Sequence, residues 1–140
     1  MMTSEGERLE LPARLENLSR FLEFATEKAR KLGFGERLPV IELVLEEALV
    51  NVIRYAATTA ADRVVLEAGL GNEGLKFTIS DHGPAFNPLE APSPDLESDL
   101  LERPVGGLGI HFIRELADDV HWSRKAGENR LQLIFRPQDH

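Results

Sequence analysis

The chain has 140 residues, enough for one domain with a buried core and too few for two ordinary ones. Hydrophobic residues make up 42% and charged residues 29%, the balance of a soluble globular protein, and no apolar run approaches the ~20 residues that cross a bilayer, so no membrane partner is expected. A net charge of −8 with no Lys/Arg stripe speaks against direct nucleic-acid binding, and the lack of cysteine excludes disulfides, thiolate nucleophiles and Cys-bound zinc.

The first residues carry Glu5, Glu7 and Glu10 with neither a basic start nor an apolar stretch, so no signal peptide is expected and the cytoplasm is the default location. Leu9 and Leu11 alternate with Arg8 and Glu10, which predicts a short strand closed by Pro12. Residues 13–32 read as a helix: Leu15, Leu18, Leu22, Ala25, Ala29 and Leu32 make one lengthwise seam, and Gly33 and Gly35 end it. Its other side holds Glu16, Arg20, Glu23, Glu27 and Lys31, most simply an ion-paired solvated face.

Residues 41–56 predict a second helix of unusual pattern. At about 100° per residue, Ile41, Val44, Leu45, Ala48, Leu49, Val52 and Ala56 form one apolar stripe, while Leu43 and Val50 fall opposite it. A helix apolar on two sides is sandwiched, so Glu47, Asn51 and Arg54 in the arc between are expected to face an enclosed space. Taken alone, the stretch reads more simply with Glu47 and Asn51 as the solvated edge of an ordinary amphipathic helix.

After a connection at 58–61, residues 63–70 and 75–80 predict two strands joined by the turn Gly71-Asn72-Glu73-Gly74. Residues 87–105 hold Pro88, Pro92, Pro94 and Pro104 among acidic side chains, a long irregular loop of the kind that covers sites. Gly106-Gly107-Leu108-Gly109 opens a helix running to Ala117, and strands at 120–124 and 130–135 enclose a turn at Ala126-Gly127-Glu128-Asn129. The expected fold is α+β: one domain, a two-layer sandwich with helices on one face of a mostly antiparallel sheet.

Three pieces then ask for one explanation. Gly106-Gly107-Leu108-Gly109 at a helix start offers free N–H groups and a positive dipole end, suited to a phosphate chain. Asn51 offers a hard oxygen of the kind that holds Mg²⁺ beside phosphates, and Glu47, one turn away, a carboxylate able to accept a hydroxyl proton in phosphoryl transfer. Asp81, just past a strand, could take an amino group while Gly83 lets a flat base approach the backbone.

The stretches EALVN (Glu47 to Asn51), DHGPAF (Asp81 to Phe86) and GGLGI (Gly106 to Ile110) resemble the N, G1 and G2 boxes of the Bergerat-fold, histidine-kinase-like ATPases. The short chain, the leading strand and long helix, and Ala117 to Val120 with Trp122 are similar to the serine-kinase anti-sigma factors of bacterial partner switching. That resemblance implies ATP and Mg²⁺ as cofactors, Glu47 as general base, Asn51 as metal ligand and Asp81 as the carboxylate on the adenine amino group. It implies further that Gly83 and Ala85 lie by the base, that Gly106, Gly107, Leu108 and Gly109 face the phosphates, that residues 87–105 form a lid, and that Arg103 in it contacts phosphate. Glu16 and Arg20 have the spacing of the family's partner-binding helix, which competes with the solvated-face reading. The implied partners are a sigma factor and a STAS-type anti-anti-sigma protein, and the implied assembly is a homodimer.

The chain departs from the family at Tyr55, where histidine is common, and at Ala85, where many members have glycine. His82 and His111 have no motif partner and read as rim or surface residues. Two functions fit: a protein serine/threonine kinase that sequesters a sigma factor, or an ATP-binding regulatory module without kinase activity. A two-component histidine kinase fits less well, because no dimerisation helix pair with a phospho-accepting histidine is present.

Overall fold

The computed structural model describes residues 7–56, 62–87 and 109–137, and within them strands and helices follow the expected order. Strands β1 (Glu7–Pro12), β2 (Arg63–Gly71), β3 (Gly74–Asp81), β4 (Asp119–Lys125) and β5 (Glu128–Phe135) form one sheet in the order β1-β2-β3-β5-β4. Every neighbouring pair is antiparallel, so the sheet is wholly rather than mostly so. Alternation then decides the faces. Val64, Leu66 and Ala68, Leu75, Phe77 and Ile79, and Leu131, Leu133 and Phe135 share the face buried with helices α1 (Leu18–Lys31), α2 (Leu38–Asn51) and α3 (Gly109–Leu116).

The hairpin β2–β3 turns at Asn72-Glu73, with Gly71 and Gly74 paired at the strand ends. Gly74 has φ 134°, and a Cβ there would stand 2.3 Å from the Phe135 carbonyl oxygen, so glycine is required on two counts.

The first helix departs from its sequence pattern at its start. Leu15–Asn17 is a 3₁₀ turn in which Asn17 Nδ2 donates to the Pro12 carbonyl at 2.8 Å, and the change of pitch leaves Leu15 45% exposed. The buried line is Phe21, Ala25 and Ala29, flanked by half-buried Leu18, Leu22 and Leu32. Its end follows the pattern: Gly33 takes φ 91°, Phe34 N–H donates to Ala29 O and Gly33 N–H to Arg30 O, and Phe34 is buried beyond them.

Helix α2 is sandwiched as its two apolar sides require. Pro39 sits in its first turn, where a missing N–H costs no helical bond. Ile41, Val44, Leu45, Ala48 and Leu49 are fully buried and Val50, on the opposite side, nearly so; Leu43 is the exception, at 37% exposure. After Asn51 the helix widens into a π-turn, Val52–Ala56. The extra residue in that turn shifts the phase of the helix beyond Asn51, and Arg54 is exposed instead of lining the arc with Glu47 and Asn51.

Arg37, at the start of α2, locks the helix layer to one end of the sheet. Its guanidinium reaches Asp118 Oδ2 at 2.6 Å, the Arg136 carbonyl at 3.0 Å and the Leu116 carbonyl at 3.5 Å, and lies over the Phe135 ring. Burial works against ionisation of Asp118, but the Arg136 N–H and the Arg37 guanidinium together outweigh it and hold the carboxyl below its ordinary value near 3.8. A depressed carboxylate adds stability above its unfolded pKa and loses it as pH falls through the folded one. Asp118→Asn should therefore cost about 0.5–1.5 kcal/mol at pH 7, the scale of a hydrogen bond to a charged group discounted for solvent screening at an exposed residue. Urea melts should show the gap from the parent chain closing below pH 4; a gap that persists undiminished in acid would sink the assignment.

Candidate functional site

The Arg37 lock fixes which way α2 points. Arg37 contacts Phe135 and Arg136 at the end of β5, and α2 runs about 21 Å from there, close to the length of β5 itself. Asn51, its last residue, is thus carried toward the other end of the sheet, where β3 finishes at Asp81 and β5 begins. The six-residue link 57–62 back to β2 agrees, since Val64 is the register partner of Asp81. Helix α3 ends beside Arg37 through Leu116 and packs on α2, so its start at Gly109 is directed the same way.

On that end the sheet's core face turns from apolar to polar. Asp81 continues the row of Leu75, Phe77 and Ile79, and Asn129 continues that of Phe135, Leu133 and Leu131. Both are buried, at 2% and 3% exposure. A buried carboxylate needs donors, and Asp81 Oδ1 takes the Gly83 N–H at 2.8 Å and Asn129 Nδ2 at 3.1 Å. The first of these bonds is an Asx-turn that folds the chain sharply after β3 and buries Gly83.

Asn51 is 3% exposed, and its Nδ2 finds no hydrogen-bond acceptor among the described residues. An orphaned buried amide is costly and marks a site. One amide presents both an oxygen for a hard cation and an N–H for a phosphate oxygen, so its chemistry fits a magnesium ion that takes its remaining ligands from phosphates and water. No group of three or more His, Asp or Glu residues among the described residues could cage a metal without such help. Glu47, one turn earlier, is half-buried, and its pKa is raised by burial first and then by neighbouring Glu46. Residues four apart on a helix sit about 5–6 Å apart at Cβ, so the carboxyl and the orphaned amide share one space. A carboxylate made more basic beside a hard-cation ligand can take a proton from an incoming hydroxyl.

The structure brings Glu47 and Asn51 together and assembles Asp81 with Gly83; Ala85 is exposed in the loop after them. Gly109 begins α3. Arg103, Gly106, Gly107 and Leu108, and the lid stretch apart from Asn87, lie outside the described residues. Glu16 and Arg20 are exposed; Glu16 pairs with Arg14 at 3.3 Å rather than with Arg20, and Glu27 with Lys31 at 3.7 Å. His82 points to the opposite face of the sheet, 3.6 Å from Glu128. There it joins Arg8, Arg63, Glu67 and Ser80 around a cavity of about 450 Å³ that the sheet separates from Asp81.

Sequence reasoning missed Asn129 and Arg124. The turn expected at 126–129 is only Ala126-Gly127, with φ 54° and 78°, the two positive values of a type I′ hairpin. Asn129 is therefore a strand residue opposite Arg124. Two-residue hairpin arithmetic on the apolar alternation of Leu131, Leu133 and Phe135 would have placed it on the core face.

The profile of the histidine kinase-like ATPase domain matches residues 11–135. Serine-protein kinase RsbW of Bacillus mycoides is 24% identical over 141 residues, covering 96% of this chain and 88% of its own. Serine/threonine-protein kinase BtrW of Bordetella bronchiseptica is 27% identical over 134 residues, covering 94% of each. In a solved structure, the RsbU and RsbW domains of a Mycobacterium tuberculosis protein superpose with a TM-score of 0.63 at 16% identity, over 95% of this chain and 32% of that one; the likeness is one of fold. No helix among the described residues is long and apolar enough to cross a membrane.

Proposed function

The chain belongs to the histidine kinase-like ATPase domain family, and from that premise we propose that it is an ATP- and Mg²⁺-dependent protein serine/threonine kinase of the anti-sigma type. In this reading it phosphorylates a STAS-type anti-anti-sigma protein and, when not so engaged, holds a sigma factor. The observation that carries the proposal is the pairing, on one buried helix, of a basic-shifted Glu47 with the orphaned amide of Asn51, directed at the end of the sheet that holds Asp81.

Each residue has one task. Asp81 accepts the adenine amino group, and Gly83 keeps the backbone close beneath the base. Gly109, with Gly106, Gly107 and Leu108 before it, turns N–H groups toward the phosphates, and Arg103 adds a cation. Asn51 would hold the magnesium ion, which supplies neutralisation of the phosphate charge. Glu47 takes the hydroxyl proton as the serine oxygen bonds to phosphorus and the bond to the leaving ADP oxygen breaks. A raised pKa suits that task, because the stronger base removes the proton more readily.

The target serine must come to this end of the molecule, and α1 starts there. Asn17 is bonded to Pro12, which pairs with Arg63 beside the Asp81 row, so exposed Glu16 and Arg20 lie at the start of α1, toward the same end of the sheet. They are the proposed contact for both protein partners. RsbW and BtrW carry serine or serine/threonine kinase names, which supports the reading. A homodimer is part of the same proposal and is checked by sedimentation.

The test uses the chain with labelled ATP and purified STAS-domain proteins encoded beside it. Phosphate should appear on a serine or threonine of one of them. Glu16→Ala/Arg20→Ala should keep ATP affinity and thermal stability, since exposed ion pairs contribute only about 0.2–1 kcal/mol, yet lose capture of sigma factor and antagonist. Transfer to no such protein, with nucleotide-dependent capture retained, would favour the regulatory module without kinase activity.

A further inference from the structure

Arg124 is a charged residue in an unexpected place. By strand alternation it lies on the core face of β4, in the same parity as Val120 and Trp122, yet it is exposed. Its register row crosses the sheet as Arg124, Asn129, Asp81 and Val64. Arg124 Nη1 donates to the Gly83 carbonyl at 2.9 Å and to Asn129 Oδ1 at 3.0 Å. Asn129 Nδ2 in turn donates to Asp81 Oδ1 at 3.1 Å and to the Pro84 carbonyl at 2.8 Å, while its Oδ1 receives the Phe86 N–H at 3.4 Å.

The chemistry of the neighbours fixes the amide. A guanidinium only donates, so the atom facing it must be oxygen; a carboxylate and a carbonyl only accept, so the atom facing them must be the NH₂. Reversing the amide would set like against like at each of these contacts. The loop 83–86 is therefore tied to the β4–β5 hairpin by its Gly83, Pro84 and Phe86 backbone groups, and the Asp81 carboxylate is turned by a donor whose own direction is set.

We propose that Arg124 and Asn129 are positioning residues for purine recognition: they hold Asp81 and the 83–86 backbone in the one arrangement that meets the amino edge of adenine. The inference rests on the ATP-binding reading above and adds to it the pair that sets base selectivity. Losing either should weaken the contact to the amino group far more than the binding of the rest of the nucleotide.

Calorimetry on the full chain separates the possibilities, with ATP compared against the purine riboside triphosphate that lacks the 6-amino group. Arg124→Ala should weaken ATP binding about tenfold, the scale of a charged hydrogen bond, and leave the analogue within about twofold, so that the preference for ATP collapses. Asn129→Ala should do the same, and Arg124→Lys should restore part of the preference through its ammonium group. Hydrogen exchange on the nucleotide-free protein supplies an independent reading, in which the Gly83 and Phe86 amides should exchange faster in Arg124→Ala than in the parent. Equal weakening of ATP and analogue would reduce the pair to general scaffolding and overturn the inference. A parent chain that binds ATP, with an unaltered preference in Arg124→Ala, would overturn it while leaving the nucleotide reading intact. A parent chain that binds neither nucleotide would remove both.

Discussion

Glu47→Gln should cut phosphate transfer to the antagonist at least about a hundredfold while moving ATP affinity by less than about tenfold, because general-base contributions are typically 10²–10⁴-fold and fall on the transition state alone. The amide is nearly isosteric and cannot accept the proton. Burial followed by the charge on Glu46 raises the Glu47 pKa, so the acid limb of the pH–rate profile should lie above the ordinary glutamate value of 4.5. Activity should rise with pH through that limb as the carboxylate forms. The same limb should vanish from the residual rate of the glutamine variant. Single-turnover transfer measured from pH 4.5 to 8 reads both quantities. A glutamine variant with parental rate, or one that keeps the acid limb, would take the base assignment away from Glu47 and favour the module that binds nucleotide without transferring phosphate.

The fold was legible wherever one periodicity governed a whole element. Strands β2 and β3 alternate in sequence because one face packs against the helices, although Thr78 and Ser80 on the other face of β3 are buried as well, and α2 is apolar on two sides because α1, α3 and the sheet enclose it. Misreadings cluster at ends, where local bonds override periodicity. The Asn17 to Pro12 bond and its 3₁₀ turn lift Leu15 out of the seam, and the π-turn after Asn51 carries Arg54 to the surface. The site shows the same division. Glu47, Asn51 and Asp81 stand out in sequence because polar residues interrupt apolar rows. Arg124 and Asn129 do not, since their meaning comes from strand register and from backbone carbonyls 41 and 45 residues away in the chain. No local pattern encodes a bond of that kind.

Asn51 is where stability and function should part company. Its Nδ2 is buried and has no acceptor among the described residues, so burying it carries a desolvation cost of about 1–3 kcal/mol that no hydrogen bond among them offsets. A residue kept for packing would behave in the opposite way: removing it would open a cavity and lower stability. Asn51→Leu, apolar and with the same branching and number of side-chain heavy atoms though bulkier, should therefore leave the nucleotide-free chain as stable as the parent or raise its midpoint by a few degrees, on the scale of about 1 kcal/mol per 4–8 °C for a domain of up to about 100 residues and less for a larger one. The same variant has no oxygen for magnesium and no N–H for phosphate. Its affinity for Mg-ATP should fall at least about 10–100-fold, since losing even a group that only supports a metal ligand costs that much, and the added stabilisation by magnesium over ATP alone should disappear. Thermal melts with EDTA, with ATP and EDTA, and with Mg-ATP read all three terms in one experiment. A variant that melts lower without nucleotide yet keeps the full magnesium-dependent shift would make Asn51 a packing residue and move the metal elsewhere.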